Sequence, residues 1–210
     1  RIDKTKPGYK EMPLGGPTPI PSVNWVNMRG EDDQSAIDMR TLSRLQQKYR
    51  IEIWENVQKI RSVPGYEEVF LLDTASQLGV RVSRILDGEY RLTLDDSMTY
   101  KSFTDVIGVS GAWTTLLYKG KKIAVEERPL WQIPYRALLP RKTKNLLVAG
   151  RCFCFEKTLV EDARIIGTCL VTGHGAGAAA AVAARENAAV QDIDIARVQK
   201  IIKEQNGYLG

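Results

Sequence analysis

The stretch NLLVAGRCFCFEKTLVEDARIIGTCLVTGHGAGAAAA, Asn145 to Ala181, constrains the fold more than any other part of the chain. It opens on an apolar run, Leu146, Leu147 and Val148, stops at Ala149 and Gly150, and later enters a long series of Gly, Ala, Thr and Val. Its period and length predict a buried strand, a loop, and a helix from Ala163 or Ile165 to Glu186. Small side chains on one helix let its backbone come close to a neighbour. That neighbour is a membrane partner, a strand or a cofactor.

The membrane reading is the weakest of the three. No residue from Ile165 to Ala184 is formally charged at neutral pH, and about 20 apolar residues span a bilayer. The run nevertheless holds Gly167, Thr168, Thr172, Gly173, His174, Gly175 and Gly177, and is flanked by Arg164 and Arg185 with no aromatic belt. A buried helix of a soluble protein, with no membrane span, is the expectation.

Composition narrows the function classes. With 210 residues, 43% hydrophobic and 26% charged, the chain can bury the core of one large domain or two small ones. The net charge of +5 is mild and scattered, and its densest basic run, PRKTK from Pro140, reads as a solvated loop. No nucleic-acid partner is therefore expected. One histidine, His174, and three cysteines, Cys152, Cys154 and Cys169, do not suit a zinc site of about four N or S ligands. No metal is expected. A C-x-C pair on extended chain stands about 6.5 to 7 Å apart at Cα, awkward for a disulfide. Reduced thiols and a cytoplasmic location follow as expectations. No signal peptide is visible. The first residue is Arg1 rather than Met, which predicts a removed upstream segment or a piece of a larger protein.

Three regions are expected. Residues 1–22, rich in Pro and Gly, form an extended segment. Residues 23–140 form a substrate-binding or cap region of helices and short strands. Its predicted elements begin with a strand at Val23–Asn27. A helix follows from Ser35 or Asp38 to Ile60, with Ile37, Leu42, Leu45, Tyr49, Ile53, Trp54 and Val57 inward. A second helix is predicted over VPGYEEVFLLDTASQLGV, between Pro64 and Gly79. A hairpin is placed at Asp87-Gly88, and another turn at Gly120. WQIPYRALLP reads as an extended segment kinked at Pro134. Residues 141–210 form strand, loop, helix and a last helix capped by Asp192 or Asp194, with Ile195, Val198, Ile201 and Ile202 inward. The class is α/β, and this last part reads as the closing unit of an open sheet, where ligands sit beyond the carboxyl ends of the strands.

Ala149 and Gly150 fall at such an end. Glycine there lets backbone touch a ligand, and Arg151 offers a charged fork to a phosphate or hydroxyl; a plain turn with an exposed arginine fits the spacing equally. The first amides of the long helix carry partial positive charge and suit a carbonyl that gains electron density. A helix of small residues packed only for geometry fits as well. His174 reads as a general base or as a packing histidine. Tyr135 and Arg136 meet a substrate or brace the sheet.

Several segments together resemble a known family. PGYEEVFLLDTASQLGVRVSR, GEYRLT, IPYRALLP, NLLVAGRC and RIIGTCLVTGHGAGAAAAVAA follow in order, with NWVNMRGEDDQS ahead of them. They resemble the C-terminal part of the FAD-dependent oxidoreductases, a family that includes xanthan-lyase-like flavoproteins. The resemblance implies a fold similar to glutathione-reductase-like flavoproteins, with FAD as cofactor. It implies cofactor contacts at Ala149, Gly150, Arg151 and Cys152, and at Gly167, Thr168, Cys169 and Leu170. It also implies that Arg164 holds an anionic or polar substrate group beside the flavin, with Arg136 and Tyr135 as further substrate residues and Arg164, Arg136 and His174 as candidate catalytic groups. The implied activity is hydride transfer from a small organic substrate to FAD.

The pattern is departed from in three places. No strand followed by G-x-G-x-x-G is present to cradle the FAD diphosphate. His174 stands where the family more often has Gln. SGAWTTLLYKGKK lacks the Asp and His expected there. A companion chain carrying the N-terminal dinucleotide-binding half is therefore expected. The alternative is a non-catalytic assembly or binding subunit with a degenerate FAD site.

Overall fold

The computed structural model describes residues 15–28, 30–31, 34–111 and 117–210. It divides into two compact units, Arg1–Ser83 and Arg84–Gly210.

In the first unit, β1 (Gly16–Pro17) pairs antiparallel with β2 (Asn24–Trp25). Helix α1 runs Met39–Arg61, close to its predicted span. Asp38 caps it, accepting hydrogen bonds from the amides of Arg40 and Thr41 at 3.3 and 3.1 Å. Leu45 and Val57 are buried on its inner face, but Trp54 and Ile37, expected inward, are exposed. The Glu31 amide of the NWVNMRGEDDQS segment donates to the Tyr49 hydroxyl on α1 at 2.6 Å; Arg29, Asp32 and Asp33 of that segment lie outside the described residues.

The second predicted helix does not form. Gly65, at φ +89°, turns the chain, and Tyr66 and Val69 each bond three residues back in successive turns. The apolar residues that follow, Val69 to Leu72, are consecutive rather than spaced by three or four, so a helix would have no single face to bury. Phe70 and Leu72 stand exposed.

The second unit is built on β3 (Val106–Ser110) and β6 (Trp131–Pro134), an antiparallel pair whose register shifts between Val106 and Gly108. Strand β6 ends at Pro134, as its sequence predicts, and a 3₁₀ turn, Tyr135–Leu138, continues from it. A small hairpin joins β4 (Leu117–Tyr118) to β5 (Lys121–Lys122). Lys119 and Gly120 both take positive φ, 48° and 77°, which matches the twist of the flanking strands. Helices α2 (Leu94–Met98), α3 (Val160–Ala163), α4 (Ile166–Glu186) and α5 (Ile195–Glu204) complete the unit. Trp131, Ile133, Phe153, Phe155, Val198 and Ile202 lie at the centre of its core. The α/β class holds, as helices beside small antiparallel sheets.

Helix α4 closes on the core along one face. Thr168, Thr172, Gly175, Ala179, Val182 and Ala183 are buried at helical spacing, and the helix packs on β3 and α5. A Cβ at Gly175 would stand 2.5 Å from Ile107 Cδ1, so this glycine sets how near the helix comes to β3. Gly167, Gly173 and Gly177 have nothing within 4 Å of that position. By length and composition α4 could cross a membrane; its buried face is that of a core helix.

Two further expectations fail here. Leu146, Leu147 and Val148 form no strand: the piece lies between left-handed Asn145 (φ 52°) and Gly150 (φ 78°), and no strand among the described residues pairs with it. Val148 donates to the Leu138 carbonyl at 2.9 Å, and Leu146 is 44% exposed. Asp87-Gly88 is not a hairpin turn. Gly88 bridges Pro140, and its missing side chain makes room for Cys154, whose Cβ would lie 2.7 Å from one. The next residues then bond elsewhere: Leu92 bridges Phe155 in parallel, and Thr93 starts α2 through a capping box with Asp96.

Asp96 makes the second unit acid-sensitive. Burial works against its charge, but hydrogen bonds from Lys101, Tyr90 and Thr93 outweigh that and hold its carboxyl below the usual carboxylate value. A depressed folded pKa contributes stability above the unfolded value, about 3.9, and that contribution is lost as pH falls through the lower folded value. Urea melts from pH 7 down to pH 2 are expected to weaken below about pH 4. Asp96→Asn should flatten that fall; an unchanged acid limb in the variant contradicts this account.

Candidate functional site

Four segments of the second unit meet at the start of α4. Its N-cap is Ile165, which has no side chain able to cap, and the first turn holds no acidic residue. The first helical bond is from the Cys169 amide to the Ile165 carbonyl at 2.9 Å, so the amides of Ile166, Gly167 and Thr168 have no acceptor within the helix. Aligned peptide dipoles add partial positive charge there. Ile166 and Leu170 are 78% and 68% exposed, and Gly167 opens onto free space.

The Ala149–Cys152 turn lies against this helix end. Gly150 donates its amide to Thr172 Oγ1 at 2.9 Å, one turn beyond Thr168. Its φ of +78° disfavours any side chain, and nothing lies within 4 Å of where a Cβ would be. The Phe153 amide returns to the Gly150 carbonyl at 3.2 Å and closes the turn. Arg151 is exposed. Burial pushes the Cys169 thiol up, Cys152 acts in the same direction, and Arg151 opposes them. Cys169 Sγ itself contacts the Arg164 carbonyl at 3.4 Å, and Cys152 Sγ the Ala149 carbonyl at 3.7 Å. Cys154, the other half of the C-x-C pair, is fully buried.

Arg164 ends α3 immediately before this N-cap and pairs with Glu161. Its side chain is 20% exposed, and its Nε is buried without a hydrogen-bond partner. The structure thus groups Gly150, Arg151, Cys152, Gly167, Thr168, Cys169 and Arg164, with Ala149 opening the turn and Leu170 on the outward side.

It does not bring the remaining candidates to this cluster. His174 is exposed and its Nε2 lies 2.6 Å from Gln205 Oε1 just beyond α5. Tyr135 is buried and donates its hydroxyl to the Val190 carbonyl at 2.7 Å, and burial pushes its pKa up. Val190 follows the carboxyl end of α4, about 30 Å from the amino end of a helix this long. Arg136 is held by Asp105 through Nε and Nη2, at 2.9 and 3.1 Å, and lies over the Tyr90 ring. Sequence reasoning missed two buried hydroxyls, Ser110 and Thr172. Ser110 Oγ lies 2.8 Å from Thr168 Oγ1.

Two exposed amides, those of Ile166 and Gly167, with an exposed guanidinium and two glycines with open space, suit a flat ligand rich in hydrogen-bond acceptors. A flavin, with its carbonyls and phosphates, has that character, so the residues present fit FAD. The model of the FAD dependent oxidoreductase family matches residues 6–202, and the chain belongs to that family, an oxidoreductase family with FAD as cofactor. No curated protein and no solved structure matches the chain.

Proposed function

We propose that this chain is the substrate-binding and flavin-capping portion of a FAD-dependent oxidoreductase that removes a hydride from a small organic substrate. One observation carries the reading: the uncapped start of α4 and the left-handed turn at Gly150 lie side by side, with Thr172 joining them. When bound, FAD supplies the hydride-accepting chemistry. The exposed amides of Ile166 and Gly167 stabilise an electron-rich edge. Arg151 binds a phosphate or ribityl oxygen. Arg164, with its buried Nε unclaimed, orients an anionic or polar group of the substrate. Ile166 and Leu170 cover the site and exclude water.

The dinucleotide-binding half lies outside these 210 residues, on a companion chain or on a further segment of a longer one. Two features support it. The sequence has no strand followed by G-x-G-x-x-G. A surface groove of about 620 Å³ is lined by Leu146, Leu147, Ala180 and Val190 together with Asn145 and Asn187, beside the extended residues 146–148 that lack a ladder among the described residues. Extended backbone without a ladder is open to pairing with another strand. This portion reads as the C-terminal part of a glutathione-reductase-like FAD domain, working in the cytoplasm. The missing diphosphate cradle also favours a second reading, a non-catalytic assembly subunit with a degenerate FAD site.

The visible spectrum of the protein purified from its native setting separates the two. Flavin peaks that stay with the chain are expected. Arg151→Ala should lower flavin retention about tenfold, the scale of one charge-assisted hydrogen bond. Unaltered retention in that variant supports the assembly reading instead.

A further inference from the structure

We infer that Thr172 and Ser110 are positioning residues for the cofactor site: with Thr168 they form a buried ladder of hydroxyls that fixes the Gly150 turn against the first two turns of α4. The inference rests on the flavin reading above.

Proton counting gives the ladder its direction. Thr172 is fully buried, and its Oγ1 accepts from the Gly150 amide at 2.9 Å. Its single proton goes to the carbonyls of Thr168 and Cys169, 3.2 and 3.0 Å away. One turn earlier, Thr168 Oγ1 donates to the Asp162 carbonyl at 2.9 Å. That proton is spent, so Ser110 is the donor across the 2.8 Å contact between Ser110 and Thr168. Ser110 is 3% exposed and Thr168 fully buried. The ladder therefore ties β3, α3, α4 and the Gly150 turn in a region with little water to substitute for a lost partner.

Two consequences bear on the cofactor. A glycine reaches left- and right-handed conformations with similar ease. Thr172 holds the amide of Gly150, and so selects the left-handed turn from which Arg151 leads off, tied to the second turn of α4. Thr168, at the third helical position, turns its hydroxyl inward, donating to Asp162 and accepting from Ser110, which leaves the exposed amides of Ile166 and Gly167 for a ligand.

The test uses the full-length flavoprotein with any companion chain. Thr172→Val keeps the branched shape and removes the hydroxyl; Thr172→Ser keeps the hydroxyl. Thr172→Val is expected to weaken FAD binding about tenfold and to shift the midpoint potential of the bound flavin, with Thr172→Ser restoring both. In protein stripped of FAD, the Gly150 amide should exchange with solvent at least about tenfold faster in Thr172→Val. Wild-type affinity and potential in Thr172→Val, or unchanged exchange at Gly150, overturns the inference. Should Thr172→Val fail to fold, Ser110→Ala carries the same measurements, and wild-type affinity with wild-type potential in it overturns the inference equally. Wild-type protein that never holds FAD overturns the flavin reading and this inference with it. FAD held equally by wild type and Thr172→Val overturns the inference alone.

Discussion

Gly175→Leu is expected to destabilise the second unit by about 3 kcal/mol, the upper range for overpacking a filled core, or about 6–12 °C in melting temperature for a chain of this size. The first atom added would stand 2.5 Å from Ile107 Cδ1 and 2.9 Å from Ile107 Cβ, and Ile107 is itself 1% exposed, so neither side has room to move. Either α4 lifts from β3 or Ile107 leaves its rotamer. Gly173→Ala, two residues earlier on an open face, is the control. Nothing lies within 4 Å of its added methyl, and exchanging glycine for alanine in a helix gains about 1 kcal/mol. Thermal melts followed by circular dichroism should move in opposite directions for the two variants. A Gly175→Leu protein that melts with wild type would show that the helix is not seated on β3 as described.

Phe155→Ala should cost about 3–5 kcal/mol, as large aromatic truncations in cores do. Phe155 is fully buried, its ring centroid lies 4.9 Å from that of Phe153, and its backbone bridges Leu92. Its neighbours are held on both sides: Cys154 donates to the Ala137 carbonyl and Leu92 to the Cys154 carbonyl, at 2.9 and 3.2 Å. Phe153 and Phe155 thereby anchor the exit of the Gly150 turn in the core. The same variant is expected to lose flavin as it loses stability, and Phe155→Leu, which keeps most of the buried volume, should lose much less of both. Equal stability for Phe155→Ala and wild type in urea melts would contradict this placement.

The two long helices and α5 were legible because their signals are local. Asp38 and Asp194 both cap as expected, and Val198 and Ile202 fall inward at helical spacing. The Lys119-Gly120 turn was legible for the same reason. What failed needed partners distant in sequence. Leu146 to Val148 read as a core strand, yet a strand exists only with a neighbour to pair with, and apolar content alone does not supply one. Gly88 reads as a turn residue because it follows Asp87; its role is close approach to Cys154, 66 positions on. The segment after Pro64 had helix punctuation at both ends without a helical period between them.

At the site, glycines and a lone arginine stood out at Gly150, Arg151 and Gly167, and the fold groups them. Thr172 and Ser110 could not be seen in the same way. Their partners lie 22 and 58 residues away, and a buried threonine on a small-residue helix looks like packing. His174 drew attention as the only histidine, but rarity in composition does not carry position. Among the glycines of α4, Gly175 meets a strand residue, Ile107, at close range, whereas Gly167 leaves the helix start open.

A structure of the flavin-loaded protein tests that placement most directly. The account predicts an isoalloxazine carbonyl within hydrogen-bond distance of the amides of Ile166 and Gly167, with Arg151 on the same ligand. A flavin bound elsewhere, with this helix end facing only side chains or solvent, would contradict it.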